Sequence, residues 1–141
     1  MRDFMSYSNP KPAFYPVAAI TDNTAMVSTI VDTAGYEGVT LILITGTLTD
    51  ADATFALTME HGNAANLSDS TVPVQADLVG TGALANYTFS DDNKTFKIGY
   101  VGTKRYIRAT VTPTANTGNF FMAGIWQLAG SRFAPTSNPP N

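Results

Sequence analysis

Cysteine is absent from the 141 residues, and with it go disulfides, thiolate metal sites and thiol nucleophiles. Histidine occurs once, at His61, so two-histidine metal motifs are excluded. Any Ser-His-Asp arrangement would have to use that single ring. Charge is sparse: Asp, Glu, Lys and Arg make up 13% of the chain, about half the usual share in soluble proteins. No run approaches the ~20 apolar residues of a membrane helix. The first sixteen residues, MRDFMSYSNPKPAFYP, contain no apolar stretch of signal-peptide length. The expectation is a soluble chain with no membrane partner and nothing directing its export.

What charge there is lies unevenly. Residues 1–92 hold all eleven acids against Arg2 and Lys11, a net of −9. Residues 93–141 hold six bases and no acid, a net of +6. Two arrangements are open. The basic third falls on one side, making a dipole suited to an oriented partner, or the two sets interleave on neighbouring strands and neutralise one another. The overall charge of −3 argues against nucleic acid as a partner.

The remaining signal is β. In Thr95–Thr112, reading TFKIGYVGTKRYIRATVT, Phe96, Ile98 and Tyr100 alternate with Lys97 and Gly99. Ile107, Ala109 and Val111 then alternate with Tyr106, Arg108 and Thr110. Gly102-Thr103 between them predicts a tight hairpin turn with a glycine at positive φ. Val39–Leu48 (VTLILITGTL), the most apolar run, predicts a central strand buried on both faces, and Asn119–Leu128 (NFFMAGIWQL) predicts a last strand that is apolar on both faces. Thr54–His61 places Phe55, Leu57 and Met59 on one face. Shorter strands are predicted at Val17–Ile20, Ala25–Val31, Val74–Val79 and Asn86–Phe89, with turn residues between them and no convincing helix.

The whole predicts an all-β fold, an antiparallel β-sandwich or jelly-roll-like body of about eight strands over residues 17–128. Two proline-rich extended arms flank it, residues 1–16 and 129–141. Phe4, Tyr7, Phe14 and Tyr15 in the first arm are more apolar than a solvated tail needs. They predict that the arm lies along a surface, its own or a neighbour's.

Catalytic chemistry finds little footing. His61 ends a strand beside Gly62-Asn63, where a polar loop-edge residue is expected. Asp50 with Asp52, and Asp91 with Asp92, fit turn-forming aspartates. The first pair lacks the spaced oxygen ligands of a calcium loop. Gly99–Lys104 has glycines and a lysine but neither the spacing nor the following helix of a phosphate loop. No catalytic, metal or cofactor-binding residues are predicted. Trp126 and the tyrosines could form a sugar platform, although an apolar strand is a place for a core tryptophan. The run Lys104-Arg105-Tyr106-Ile107-Arg108 suits carboxylates of an assembly partner, since the planar arginine fork pairs with them bidentately.

Several of these segments resemble a family of small virion proteins of tailed bacteriophages. They are Asp32–Val39, Gly46–Asp50, Asp77–Gly80, Lys97–Arg108 and Arg132–Pro135, in that order. The Gly-Tyr-Val-Gly…Lys-Arg-Tyr stretch is the most specific. Where the family pattern has Gly-His-Pro-Arg before the last Ala-Pro, this chain has Ala129-Gly130-Ser131-Arg132. The resemblance implies a non-enzymatic capsid cement or decoration protein on the virion surface, made in the host bacterial cytoplasm. It would bind the major capsid protein, staple adjacent subunits, and cluster as dimers or trimers. The expected contact residues are Phe4, Tyr7, Phe14, Tyr15, Lys104, Arg105, Arg108, Phe133 and Pro135. The alternatives are another virion role, in neck, tail or head fibre, and a carbohydrate-binding β-sandwich module.

Overall fold

The structure, a computed structural model, describes residues 3–81 and 86–137. Ten strands run through them: β1 (Ser8–Phe14), β2 (Met26–Val27), β3 (Val31–Asp32), β4 (Gly38–Leu48), β5 (Thr54–Gly62), β6 (Leu78–Val79), β7 (Tyr87–Thr88), β8 (Thr95–Tyr100), β9 (Tyr106–Thr114) and β10 (Phe120–Ala129). Strands β1-β10-β4-β8-β6 form one sheet in that order, and β2-β9-β5-β7 form the other, with β3 also on β9. All pairings are antiparallel. The two sheets make a β-sandwich, as the spacing of strands and turns predicts.

Each sheet turns one face inward. Leu41, Leu43, Ile98, Trp126 and Leu128 from the first meet Phe55, Ile107, Ala109 and Val111 from the second, all fully buried or nearly so. At one end Phe55, Tyr87 and Phe120 cluster, with the Phe55 ring centroid 4.3 Å from Phe120 and 4.9 Å from Tyr87. Such aromatic pairs add to the area they bury. The Tyr87 hydroxyl donates to Met122 Sδ at 3.1 Å, and burial pushes its pKa upward.

Three expectations are corrected. The first is the hairpin. β8 pairs with β4 and β6, whereas β9 pairs with β5 in the opposite sheet. Among the described residues, no two strands consecutive in the chain pair with each other. Alternation of period two is the same for strands side by side and for strands facing each other across a core, so the pattern could not separate them. The glycine has another reason as well. Among the described residues the positive-φ glycines are Gly35, Gly80 and Gly130. At Gly102 a Cβ would lie 2.5 Å from the Tyr100 Oη and 2.6 Å from Cζ, so the ring occupies the space of a side chain.

The second correction is the N-terminal arm. Its latter half is edge strand β1, running Ser8 opposite Ala129 to Phe14 opposite Gly124. Pro10 and Pro12, which lack donors, are tolerated on an edge. The third concerns the early strands. Val17–Ile20 supplies only an Ile20–Phe120 bridge. Ala25–Val31 is interrupted because Thr29 leaves the ladder and donates its N–H to the Ala13 carbonyl and its hydroxyl to that of Pro12. That detour ties the second sheet to β1.

Candidate assembly surface

Val39–Leu48, expected to be buried on both faces, is buried on one, and so is Asn119–Leu128, apolar on both. In β4 the inward set is Val39, Leu41 and Leu43, and in β10 it is Met122, Trp126 and Leu128. A two-layer sandwich has only one inner face per sheet, so the second apolar set must look outward. Ile44 is 53% exposed, Phe121 47%, Ile125 38%, and Val79 on β6 60%. The register places Ile125 opposite Ile42, and Ile42 opposite Lys97. Lys97 is the one charged side chain on the outward faces of β10, β4 and β8. Gly46 seats Phe121: a Cβ at Gly46 would lie 3.0 Å from that of Phe121. Between Val79 and Lys97 the face is indented by a groove of about 450 Å³ over Gly99.

The opposite sheet has a different exterior. Thr54, Ala56 and Thr58 face Thr114, Thr112 and Thr110 across β5 and β9, followed by Glu60 opposite Arg108. Hydroxyls and one ion pair cover most of it, with Val27 on β2 as an exposed apolar side chain beside Thr110. The larger apolar exterior belongs to the first sheet.

The terminal segments extend that surface. Phe4 and Met5, in a 3-10 turn, border a groove of about 580 Å³ with Pro10, Gln127 and Thr136. The C-terminal segment lies against the N-terminal one. Ser131 N–H donates to the Tyr7 carbonyl, and Thr136 N–H to that of Ser6. The Thr136 hydroxyl donates to the Ser8 carbonyl at 2.6 Å. Arg132 N–H meets the Gly35 carbonyl at 2.9 Å. The arms thus lie on the chain's own body as far as residue 137, with Phe4, Tyr7, Phe133 and Pro135 exposed. Backbone hydrogen bonds bring the two segments that carry them together.

The other predicted contact residues do not join them. Phe14 is a core residue, 6% exposed, beside Gly124 and Leu43. Tyr15 is exposed farther along the edge. Arg105 donates Nε and Nη2 to Asp32 at 2.9 and 2.8 Å. Arg108 donates Nε to Glu60. Both arginines, expected to meet carboxylates of a partner, meet their own. Arg105 holds the Asp32 carboxyl below its ordinary value, and Arg108, with Ser70, does the same to Glu60. With Lys94–Asp91, each of the three ion pairs among the described residues joins a base from residues 93–141 to an acid from residues 1–92. The charges interleave, and half of the basic third's side chains are neutralised in the chain. Lys104 is half-buried, its backbone fixed by the Tyr100 hydroxyl.

The residues weighed for chemistry have structural work. Trp126 is fully buried and donates Nε1–H to the Thr29 carbonyl, so it is no sugar platform. His61 is buried, not at a polar loop edge, with Nδ1 2.8 Å from the Tyr100 hydroxyl. Asp50 accepts from the Thr117 N–H and hydroxyl. Its carboxyl is held low, first by a hydrogen bond from Asp52, whose own is raised by sharing it. Asp91 accepts from Thr88 in a capping box, and Asp92 from the Leu48 N–H. Both pairs shape turns. Among the described residues, no three of His, Cys, Asp or Glu gather as metal ligands.

No protein-family model matches the sequence, and no curated protein matches it. Solved structures share its architecture. The CBM22-1–GH10 modules of Clostridium thermocellum endo-1,4-beta-D-xylanase 10B, complexed with xylohexaose, align with a TM-score of 0.44 at 8% identity. That alignment covers 96% of this chain and 28% of the xylanase chain, so this chain spans under a third of that chain's length. A CBM22-1 xylan-binding domain from Paenibacillus barcinonensis aligns at 0.42 and 8% identity, over 88% of this chain and 83% of that one. A chain of the Kashmir bee virus virion aligns at 0.43 and 10% identity, over 94% and 75%. The likeness is one of β-sandwich architecture alone.

Proposed function

We propose that this chain is a non-enzymatic cement protein of a tailed-phage head, binding the outside of the shell and stapling adjacent major capsid subunits. The observation that carries the reading is the outward face of the β1-β10-β4-β8-β6 sheet. Ile44, Phe121, Ile125 and Val79 are exposed together there with a single lysine among them. Contiguous exposed apolar surface on a folded domain marks a site that another protein covers. A low-charge surface lowers the cost of being covered, because few charges must leave water. Phe4, Met5, Tyr7 and Phe133 add exposed aromatic and thioether groups on the paired terminal segments of the same body.

The contact model differs from one in which free arms reach outward. The rigid sheet face makes the main contact, and the paired terminal segments add a rim. The arginines Arg105 and Arg108 serve the body first. Many modest contacts on one shell then act together through avidity, with the protein clustering as dimers or trimers at local symmetry axes.

Quantitative mass spectrometry of purified particles tests this, comparing the chain with the major capsid protein. A ratio near one, or a simple fraction of it, is expected. A few per cent would move the protein to neck or tail, and absence from particles would end the virion reading.

A further inference from the structure

We infer that the exterior of the β1-β10-β4-β8-β6 sheet takes a protein other than a second copy of this chain, one that sets an acidic side chain against Lys97. The inference rests on the capsid reading and names the chemistry that its partner must carry.

The five strands of this sheet contain no acid and two bases, Lys11 and Lys97. Lys11 stands opposite the inward Trp126, so Lys97 is the single charge of the outer face. Its register neighbours are Ile42 and, one strand further, Ile125. Around them Pro12 lies beside Ile125, Gln127 beside Thr40, and Gly99 beside Val79. All eleven acids of the chain lie among the described residues. None is in ion-pair range of Lys97, since the three ion pairs use Lys94, Arg105 and Arg108. Lys97 is exposed, and solvent holds its ammonium in the free chain.

Covering the face changes that. An ammonium taken out of water alone is costly, and a carboxylate paired with it offsets much of the cost. The lone cation thus decides what can cover the face. The same face of a second copy offers apolar groups and a like charge, with no acid in any of its strands. Packing two copies face to face is disfavoured for that reason. A partner with an apolar patch and one carboxylate suits both the isoleucines and Lys97. Clustering into dimers or trimers then uses other surfaces.

The groove over Gly99 gives the carboxylate its place. Lys97 shares the lining with Val79, Val101 and Ala129. A Cβ at residue 99 would lie 3.0 Å from that of Val79, so the glycine keeps the groove open. The Tyr100 hydroxyl is already engaged by His61 and the Lys104 N–H. A glutamate suits such a lining, with methylenes against the valines and its carboxylate at the ammonium.

The test is binding of the full-length protein to phage heads that lack it, with sedimentation velocity of the protein alone. Lys97 is exposed, so its variants should fold. Lys97→Gln should weaken binding at least tenfold, because the partner's carboxylate is left unpaired, and Lys97→Glu should weaken it further. Lys97→Arg, which keeps the charge, should recover most of that loss. Binding by Lys97→Gln as tight as wild type, with Phe121→Asp defective, overturns the inference and leaves the sheet-face reading standing. A wild-type dimer in solution that Phe121→Asp dissociates would seat a second copy on the face and overturns it too. Wild-type protein that binds no heads removes the capsid reading, and the inference falls with it.

Discussion

The Tyr100 hydroxyl lies 2.8 Å from Nδ1 of His61, a buried bond between strands of opposite sheets. The same oxygen accepts from the Lys104 N–H at 3.1 Å, fixing the arch that carries the chain from β8 to β9. The rings meet edge to face with centroids 5.6 Å apart. One phenol therefore joins both layers and the connection between them.

Tyr100→Phe keeps the ring but removes that oxygen, leaving a buried imidazole nitrogen and an amide unpaired. A loss of about 1–3 kcal/mol is expected, read as a lower urea midpoint with an unchanged slope. Gly102→Val should be damaging for a different reason, because its side chain must displace the Tyr100 ring. An unaltered midpoint in Tyr100→Phe would show that water replaces the hydroxyl at no cost.

The long strands β4, β5, β8, β9 and β10 were legible in the sequence, and the inner faces of β5, β8 and β9 with them, because alternation reports which residues share a face. Phe55, Leu57 and Met59 are buried together as the pattern predicts. Which sheet each strand enters was not legible. That choice depends on contacts distant in the chain, such as β1 with β10, and period two carries no record of it. The apolar exterior was visible but misassigned. VTLILITGTL suggests burial on both faces and NFFMAGIWQL is apolar on both, although a sandwich of two layers leaves one apolar side of each outside.

Acid should weaken the fold. Arg105 lowers the pKa of Asp32, and Arg108 that of Glu60, relative to the unfolded chain. Groups of this kind contribute stability that is fully present above their unfolded values, 3.8 and 4.5, and is lost as pH falls through the folded ones. The urea midpoint should be level from pH 7 to 5 and fall below about pH 4. Glu60→Gln should flatten part of that fall. Equal midpoints at pH 7 and pH 3 would contradict the ion-pair account.

Arg105→Glu separates a body role from a partner role. It places a second carboxylate beside Asp32, at a site where both side chains are substantially exposed. Exposed pairs of this type are worth about 1 kcal/mol or less, so the variant should fold with a slightly lower melting temperature. If Arg105 serves only the body, particle occupancy at saturating protein should equal that of the wild type. A loss of occupancy beyond what the stability change explains would return Arg105 to the interface.

The connectivity sets an expectation for folding rate. Because consecutive strands do not pair among the described residues, each ladder must close a long loop before it gains contacts. Refolding by stopped flow should be slow for the chain's size, on the order of milliseconds to seconds. Submicrosecond to microsecond refolding would be incompatible with this topology.

The sheet face gives the most direct test of the assembly role. Ile44→Asp and Phe121→Asp put a charge on outward positions with solvent on one side. Substitutions at exposed positions usually shift stability by about 0.5 kcal/mol or less, so both variants should stay folded. A carboxylate buried against a partner without a counter-charge is far more costly, so occupancy on heads should drop at least tenfold. Thr112→Asp, on the threonine-covered exterior of the other sheet, is the matched control and should bind normally. Equal loss in all three would mean that added charge, and not the face, governs attachment. Normal binding by both sheet-face variants would remove that face from the interface and leave the terminal segments as the contact.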